Sequence, residues 1–281
     1  MEFTIDHRTT YRYAAPVDQS YTVVHLQPRS DGVQFCSRYA LELPPGTKSH
    51  AYRDRFGNDV QHFSIMPPHA ELTISAHSDV VTLMPPSLPP ENATRAALAA
   101  QIDDLAFYDY LHASTYVCTT PELDAFLDNV GRPGDDLGAW CENLRREVHG
   151  AFTYDTSATT VRTKVAEALR ERRGVCQDYA HVMLSSLRRV GIPARYVSGY
   201  IFRGESPVLG AEASHAWVEA YLPPHGWVGF DPTNDLAIDN RFVRIAYGRD
   251  YRDVSPVRGV YRGVQSSEMR VDVEMNLFAS Q

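Results

Sequence analysis

The sequence predicts an α+β protein in two parts. An N-terminal β-sandwich-like domain spans residues 1–88; residues 89–281 hold a helical segment and a core, at about 150–235, in which a helix packs on an antiparallel sheet. Three observations predict this. Short apolar segments broken by Pro, Gly, Asp and Asn fill residues 1 to about 85. The Pro-rich stretch MPPSLPPEN (Met84–Asn92) then marks a boundary or stiff linker. Beyond it the texture changes to helical periodicity and, later, to strand alternation.

Five strands are expected first, at Glu2–Asp6, Tyr21–Gln27, Ser37–Leu43, Asp59–Ile65 and Glu71–Val81. Ala96–Leu111 is rich in Ala and Leu and reads as helical. Thr120 and Pro121 form an N-cap and first-turn pair. Asp135–Val148 carries an apolar stripe of Leu137, Trp140, Cys141, Leu144 and Val148. Thr163–Arg172 is a short helix ended by Gly174. Cys176–Val190 is another, stopped by Gly191 with Pro193 just beyond. Strands Ala194–Phe202, Ser214–Leu222 and Gly226–Asp231 follow.

Composition excludes several classes of function. With 27 basic and 35 acidic side chains, a net charge of −8 and no Lys/Arg block, the chain is a poor partner for nucleic acid. Hydrophobic residues at 43% and charged ones at 22% exclude wholesale disorder. No apolar run approaches the ~20 residues that span a bilayer, and the opening MEFTIDHRTTYRY has no secretory h-region, so a cytoplasmic location without a membrane partner is expected. The cysteines Cys36, Cys118, Cys141 and Cys176 form no CxxC pair. The 11 histidines include no HExxH, and His181, four residues after Gln177, reads as a solvated or satisfied helix residue rather than a ligand. No metal or cofactor is expected.

Cys36, Cys118 and Cys141 read as small packing residues. Cys176 differs, because RRGVCQDYAH puts it at a helix start. Unpaired N–H groups and partial positive charge there stabilise a thiolate and can receive an oxyanion. In ASHAWVEAYLP, alternation puts Ala216, Val218, Ala220 and Leu222 on the core side, and His215, Trp217, Glu219 and Tyr221 on the other. His215 is a candidate general base, and Trp217, from its face, a wall of a substrate channel rather than a core plug. Asp231, closing GWVGFDPTN, is either a turn residue or the carboxylate that orients the imidazole. A tight turn at Pro223–Gly226 sets Val218 opposite Asp231, so a bulge or bend is needed to join His215 and Asp231. Spacing alone leaves the triad open.

Taken together, GVCQDYAHVMLSSLRRVGIPARYVSGY and SHAWVEAYLPPHGWVGFDPTN resemble the core of the transglutaminase-like superfamily, strongly over Phe152–Asn234. The likeness is to the bacterial cysteine-peptidase-like branch with an N-terminal β domain, to which HRTTYRY, DRFGND and GRDYRDVSPVRGVYRG are also similar. The resemblance implies a papain-like core with Cys176 as nucleophile, His215 as base and Asp231 as orienting carboxylate. All three are intact, which argues against an inactive relative. It implies acyl transfer through a thioester, with the Cys176 N–H as oxyanion donor and Tyr154, upstream in AFTYD, as a candidate second donor. Gln177 and Asp178 flank the nucleophile; Gln177 is a candidate substrate contact, and Asp178 fits a helix-start role better than a catalytic one.

A peptidase or amidase on a peptide or protein substrate is the leading expectation. A protein-glutamine gamma-glutamyltransferase or deamidase is the alternative, and an inactive peptide-binding module a further one. The β domain is expected to pack near Cys176, shaping one side of the cleft, or to mediate homo-oligomer contacts. The resemblance also suggests a functionally linked ATP-grasp-type ligase as the source of a modified peptide substrate.

Overall fold

The computed structural model describes residues 1–83, 90–102, 104–204, 208–211, 213–263 and 267–278. Most of the Pro-rich boundary expected at Met84–Asn92, residues 84–89, lies outside them. Strand alternation sets the first element: Phe3, Ile5, His7 and Thr9 are buried while Glu2, Asp6 and Arg8 face out. The strands expected at Glu2–Asp6 and Tyr21–Gln27 are the two ends of one long strand, β1 (Glu2–Val24), which turns at Gln19 with φ +48°. β2 (Gln34–Glu42), β3 (Ser49–Arg53), β4 (Asp59–Ile65) and β5 (His69–Thr82) follow. The first half of β1 pairs with β5, and its last residues pair with β4. One strand thus serves both leaves of a sandwich-like domain, closed over Val24, Phe63, Leu72 and Ile74.

The helical segment comprises α1 (Arg95–Gln101), α2 (Asp104–Leu111), α3 (Pro121–Val130) and α4 (Leu137–Ala151). Thr120 accepts from the Leu123 N–H and Asp136 from the Ala139 N–H, the side-chain caps that fix where α3 and α4 begin. Next come β6 (Thr153–Tyr154), α5 (Val165–Glu171), β7 (Arg173–Gly174) and α6 (Cys176–Arg189). The core sheet is β8 (Ala194–Ile201), β9 (His215–Tyr221), β10 (Trp227–Asp231), β11 (Leu236–Ala237) and β12 (Phe242–Gly248), in the order β11-β10-β9-β8-β12, antiparallel throughout. The chain ends with α7 (Tyr251–Val254), β13 (Val257–Arg262) and β14 (Ser267–Leu277). Among the described residues no helix is long and apolar enough to cross a membrane.

α6 lies at the centre of the core, buried from Gln177 to Arg188, with Tyr179, Ala180, Met183 and Leu187 packed in one cluster with Ala216, Val218 and Ala220 of β9. Cys141, on the buried stripe of α4, belongs to the same cluster. Arg188 stays buried because its guanidinium donates to the carbonyls of Ala194, His112 and Arg249.

The C-terminal strands correct the expected domain limits. β13 pairs with the end of β1, and β14 pairs with β1 from Phe3 to Tyr13, so the sandwich is completed by residues 257–277 and does not end at residue 88. The two parts also share a core: Phe3, Ile5 and Val80 pack into the cluster around α6. Gln34 seals the β12 edge, its Oε1 accepting from the Arg244 N–H (2.7 Å) and its Nε2 donating to the Arg244 carbonyl (2.8 Å). Asn58 makes the same two-way contact with the backbone of Tyr247.

Candidate active site

Two short pairings place the segment before α6. β6 runs parallel to β7, with Tyr154 level with Gly174, so the Tyr154 segment is held two residues from Cys176. The Asp155 N–H donates to the Gly174 carbonyl and the Thr153 N–H to that of Arg172. Asp178 then starts the helix: its carboxylate accepts from the Val175 N–H (2.9 Å) and from the Thr159 hydroxyl (2.7 Å). A side chain at residue 174 would collide with that carboxylate, which explains the glycine. Burial raises the Asp178 pKa, against the pull of those two hydrogen bonds. The helix-start role expected for Asp178 is the one its contacts describe.

Cys176 occupies the first turn of α6, partly exposed, with an N–H that has no intrahelical acceptor. His215 begins β9 and is 1% exposed. Its Nε2 donates to Asp231 Oδ2 at 2.8 Å. Its Nδ1 has no hydrogen-bond partner among the described residues, and the nearby Cys176 favours the protonated ring. Burial works against the imidazolium, but the charge and hydrogen bond of Asp231 outweigh it and raise the His215 pKa above its ordinary value. Asp231, also fully buried, is held below the ordinary carboxylate range for the same reason: the imidazole and Asn234 overcome desolvation.

No bulge is needed to join the pair. Phe230 faces Val218 across the β9–β10 ladder, so Asp231 falls level with Trp217 and diagonal to His215 on the same face. The spacing argument had placed Val218 there, one residue out of register.

Asn234 was not singled out from the sequence. Its Nδ2 donates to Asp231 Oδ2 at 2.9 Å, and its backbone N–H, with that of Thr233, donates to Oδ1. The same side chain grips Leu209, accepting from its N–H (2.7 Å) and donating to its carbonyl (3.2 Å). This sets Gly210 (φ +82°) over the imidazole, where an added Cβ would stand 2.7 Å from His215 Nδ1. The signal available was an Asn three residues after the Asp in a turn.

Trp217 does not line an open wall. It is 0% exposed, packed against Phe242 (ring centroids 5.3 Å) and clustered with Val197, Ile201 and Ile238 behind His215. Both faces of β9 are buried, so alternation assigned Trp217 to the correct face but to the wrong environment. Gln177 is buried as well: it donates from Nε2 to the Val161 carbonyl (3.3 Å) and ties down the loop before α5. Tyr154 is half-buried beside the nucleophile segment. His181 is buried rather than solvated, its Nε2 accepting from the Tyr251 N–H, and burial lowers its pKa to about 4.

The profile of the transglutaminase-like superfamily matches residues 125–232, and that of the bacterial transglutaminase-like N-terminal region matches residues 3–81. The chain belongs to the transglutaminase-like superfamily. An uncharacterized protein of Mycobacterium leprae is 34% identical over 277 residues, covering 97% of this chain and 98% of its own. One from Mycobacterium tuberculosis is 33% identical over 292 residues, covering 97% and 92%. A protein-glutamine gamma-glutamyltransferase of Pseudomonas aeruginosa is 41% identical over 101 residues, 34% of this chain and 15% of that one. Among solved structures, a candidate cysteine protease from Cytophaga hutchinsonii superposes with a TM-score of 0.81 at 21% identity, covering 100% of this chain and 92% of that one, a match of fold. The transglutaminase-like core thus carries Cys176, His215 and Asp231 within its matched region, and the superfamily's N-terminal region matches the sandwich.

Proposed function

We propose that the protein is a cysteine-dependent amide-bond hydrolase, a peptidase or amidase acting on a peptide through Cys176, His215 and Asp231. The observation that carries the proposal is the buried His215–Asp231 hydrogen bond, which leaves Nδ1 unpartnered among the described residues, with the Cys176 thiol at a helix start near enough to favour the imidazolium.

In the first half-reaction the Cys176 thiol gives its proton to His215 Nδ1 and Sγ attacks the amide carbonyl carbon. The resulting oxyanion accepts from the Cys176 N–H, with the Tyr154 hydroxyl as candidate second donor. His215 Nδ1–H protonates the departing amine, the C–N bond breaks and a thioester remains. In the second half-reaction water gives a proton to Nδ1 and attacks the thioester, releasing the acid and restoring the thiol. Asp231 keeps Nε2–H fixed throughout, so the same nitrogen faces the chemistry in both halves.

A transglutaminase reading shares every step up to the thioester and replaces water by a primary amine. The similarity over 101 residues to the Pseudomonas aeruginosa glutamyltransferase supports it.

Wild type and Cys176→Ala, incubated with a peptide library with and without a primary amine and read by mass spectrometry, separate the readings. Cleavage by wild type alone, with at least a ~10³-fold loss in the variant, is expected. Mass shifts confined to glutamine mean transamidation or deamidation. No product from either, with Cys176 slow to alkylate, means a binding module.

A further inference from the structure

A cleft of about 530 Å³ opens between the sandwich and the core, walled by β13, β14, α7 and the loop before α5. Its lining is aromatic and basic: Tyr13, Tyr116 and Tyr251 with Arg162, Arg252 and Arg258, and no carboxylate, in a chain whose net charge is −8. None of the three arginines has an acidic partner within 4 Å among the described residues. Arg252 donates to Thr115 Oγ1 and Arg258 to the Arg252 carbonyl, while among the described residues Arg162 donates only through its backbone N–H, to Thr160 Oγ1.

The carboxylates on the far side of Arg252 and Arg258 are already engaged. Asp253 accepts from the Arg249 guanidinium, and Asp54 accepts from the backbone of Phe56 and Asn58 and from the Asn58 side chain. The three side chains are exposed, whereas most of the described arginines that are buried or half-buried are neutralised, as Arg195 and Arg244 are by Glu219. Three arginines without an acidic partner among the described residues thus line one tyrosine-walled cleft, a chemistry that suits carboxylates.

Cys176 is not itself among the lining residues, but two of them tie the cleft to its surroundings. Tyr251, in its wall, is close enough to Cys176 for the two to interact electrostatically. Val161, on the opposite rim, is held through its carbonyl by Gln177, the residue after Cys176. We propose that this cleft is the subsite for an acidic segment of the peptide substrate, its glutamate or aspartate carboxylates taken by Arg162, Arg252 and Arg258 while the scissile amide lies at Cys176. The inference rests on the amide-hydrolase reading for what happens at the thiol, and on the cleft alone for what binds.

The test therefore measures binding apart from turnover. The full chain carrying Cys176→Ala is titrated, by fluorescence anisotropy, with a labelled glutamate-rich peptide and with its glutamine counterpart. The acidic peptide is expected to bind at least about tenfold tighter at low salt, with the difference closing at high salt. Adding Arg162→Gln and Arg252→Gln removes the preference; Arg162→Gln alone, at an exposed side chain with no hydrogen bond or ion pair among the described residues, halves it or more even if the double variant folds poorly. Equal binding of the two peptides, or a preference untouched by these substitutions, overturns the subsite. Wild-type turnover of the same peptides is scored separately: no product alongside an intact acidic preference removes the hydrolase reading and leaves the subsite standing.

Discussion

Glu219 and Glu71 are both paired with arginine on a β-strand, and the two pairs behave differently. Glu219, 1% exposed, sits in the core sheet between Arg195 (2.6 Å) and Arg244 (2.7 Å), whose charges overcome burial and hold its pKa below the ordinary range. Glu71, in the sandwich, meets Arg12 at 3.2 Å with both side chains more than half exposed. The charge of Glu219 is buried, so its arginines must replace the water it has lost and are thereby fixed; at the exposed Arg12–Glu71 pair water does most of that work. The catalytic candidates belong to the first kind. His215 and Asp231 are as buried as Glu219, and their geometry is as tightly constrained.

The comparison also concerns how each part is assembled. The core sheet comes from one stretch of chain, while the sandwich joins both ends of it across β1. The largest effect is therefore expected from removing residues 257–281. Loss of β13 and β14 exposes one whole edge of β1 and one wall of the cleft, and the cooperative thermal transition followed by circular dichroism should collapse. A truncated chain that melts like the full one would mean that the sandwich closes without its C-terminal strands. By the same reasoning, cutting within Met84–Asn92 yields no independent catalytic fragment, because Phe3, Ile5 and Val80 pack into the cluster around α6.

Asp231→Asn comes next. The amide offers one acceptor where the carboxylate accepts from His215, Thr233 and Asn234 through two oxygens, so kcat should fall by roughly 10²–10⁴-fold. The sign of the pH shift follows from the raised pKa of His215. The imidazolium of the native site persists above the ordinary histidine value, so the basic limb of the rate profile lies well above pH 6.5; without the carboxylate that limb moves to lower pH. A profile that keeps its basic limb in place would break the link between Asp231 and the base.

Gln34→Ala tests the seam between the two parts. It leaves the buried backbone groups of Arg244 without their side-chain partner and should cost about 1–3 kcal/mol in denaturant unfolding. Arg12→Gln, at the exposed pair, should change stability by no more than about 0.5 kcal/mol. If Arg12→Gln proved as damaging as Gln34→Ala, the contrast between a desolvated core and a solvated sandwich would fail.

Much of the site was legible in the sequence because it is local. Gly174 before Cys176, where a side chain would meet Asp178, and Gly191 (φ +81°) with Pro193 after it bracket α6, since such constraints act over a few residues. Alternation put His215 and Trp217 on one face of β9 because pleating has a period of two. The partners of those faces were not legible. Ile238 and Phe242, which cover Trp217, lie beyond β10, and no period in β9 encodes them. The β9–β10 register was misjudged by one residue because it depends on the turn, closed by the Leu222 N–H donating to the Gly226 carbonyl.

The sequence by itself determined the helix that presents Cys176, the strand that carries His215 and the likeness to the transglutaminase-like superfamily, all properties of short contiguous runs. Tertiary structure alone decided that Asp231 reaches His215 without a bulge, that Asn234 clamps both Asp231 and the loop over the imidazole, and that β13 and β14 return to β1. Those depend on which distant segments come to share a buried surface, and burial is a property of the folded chain as a whole.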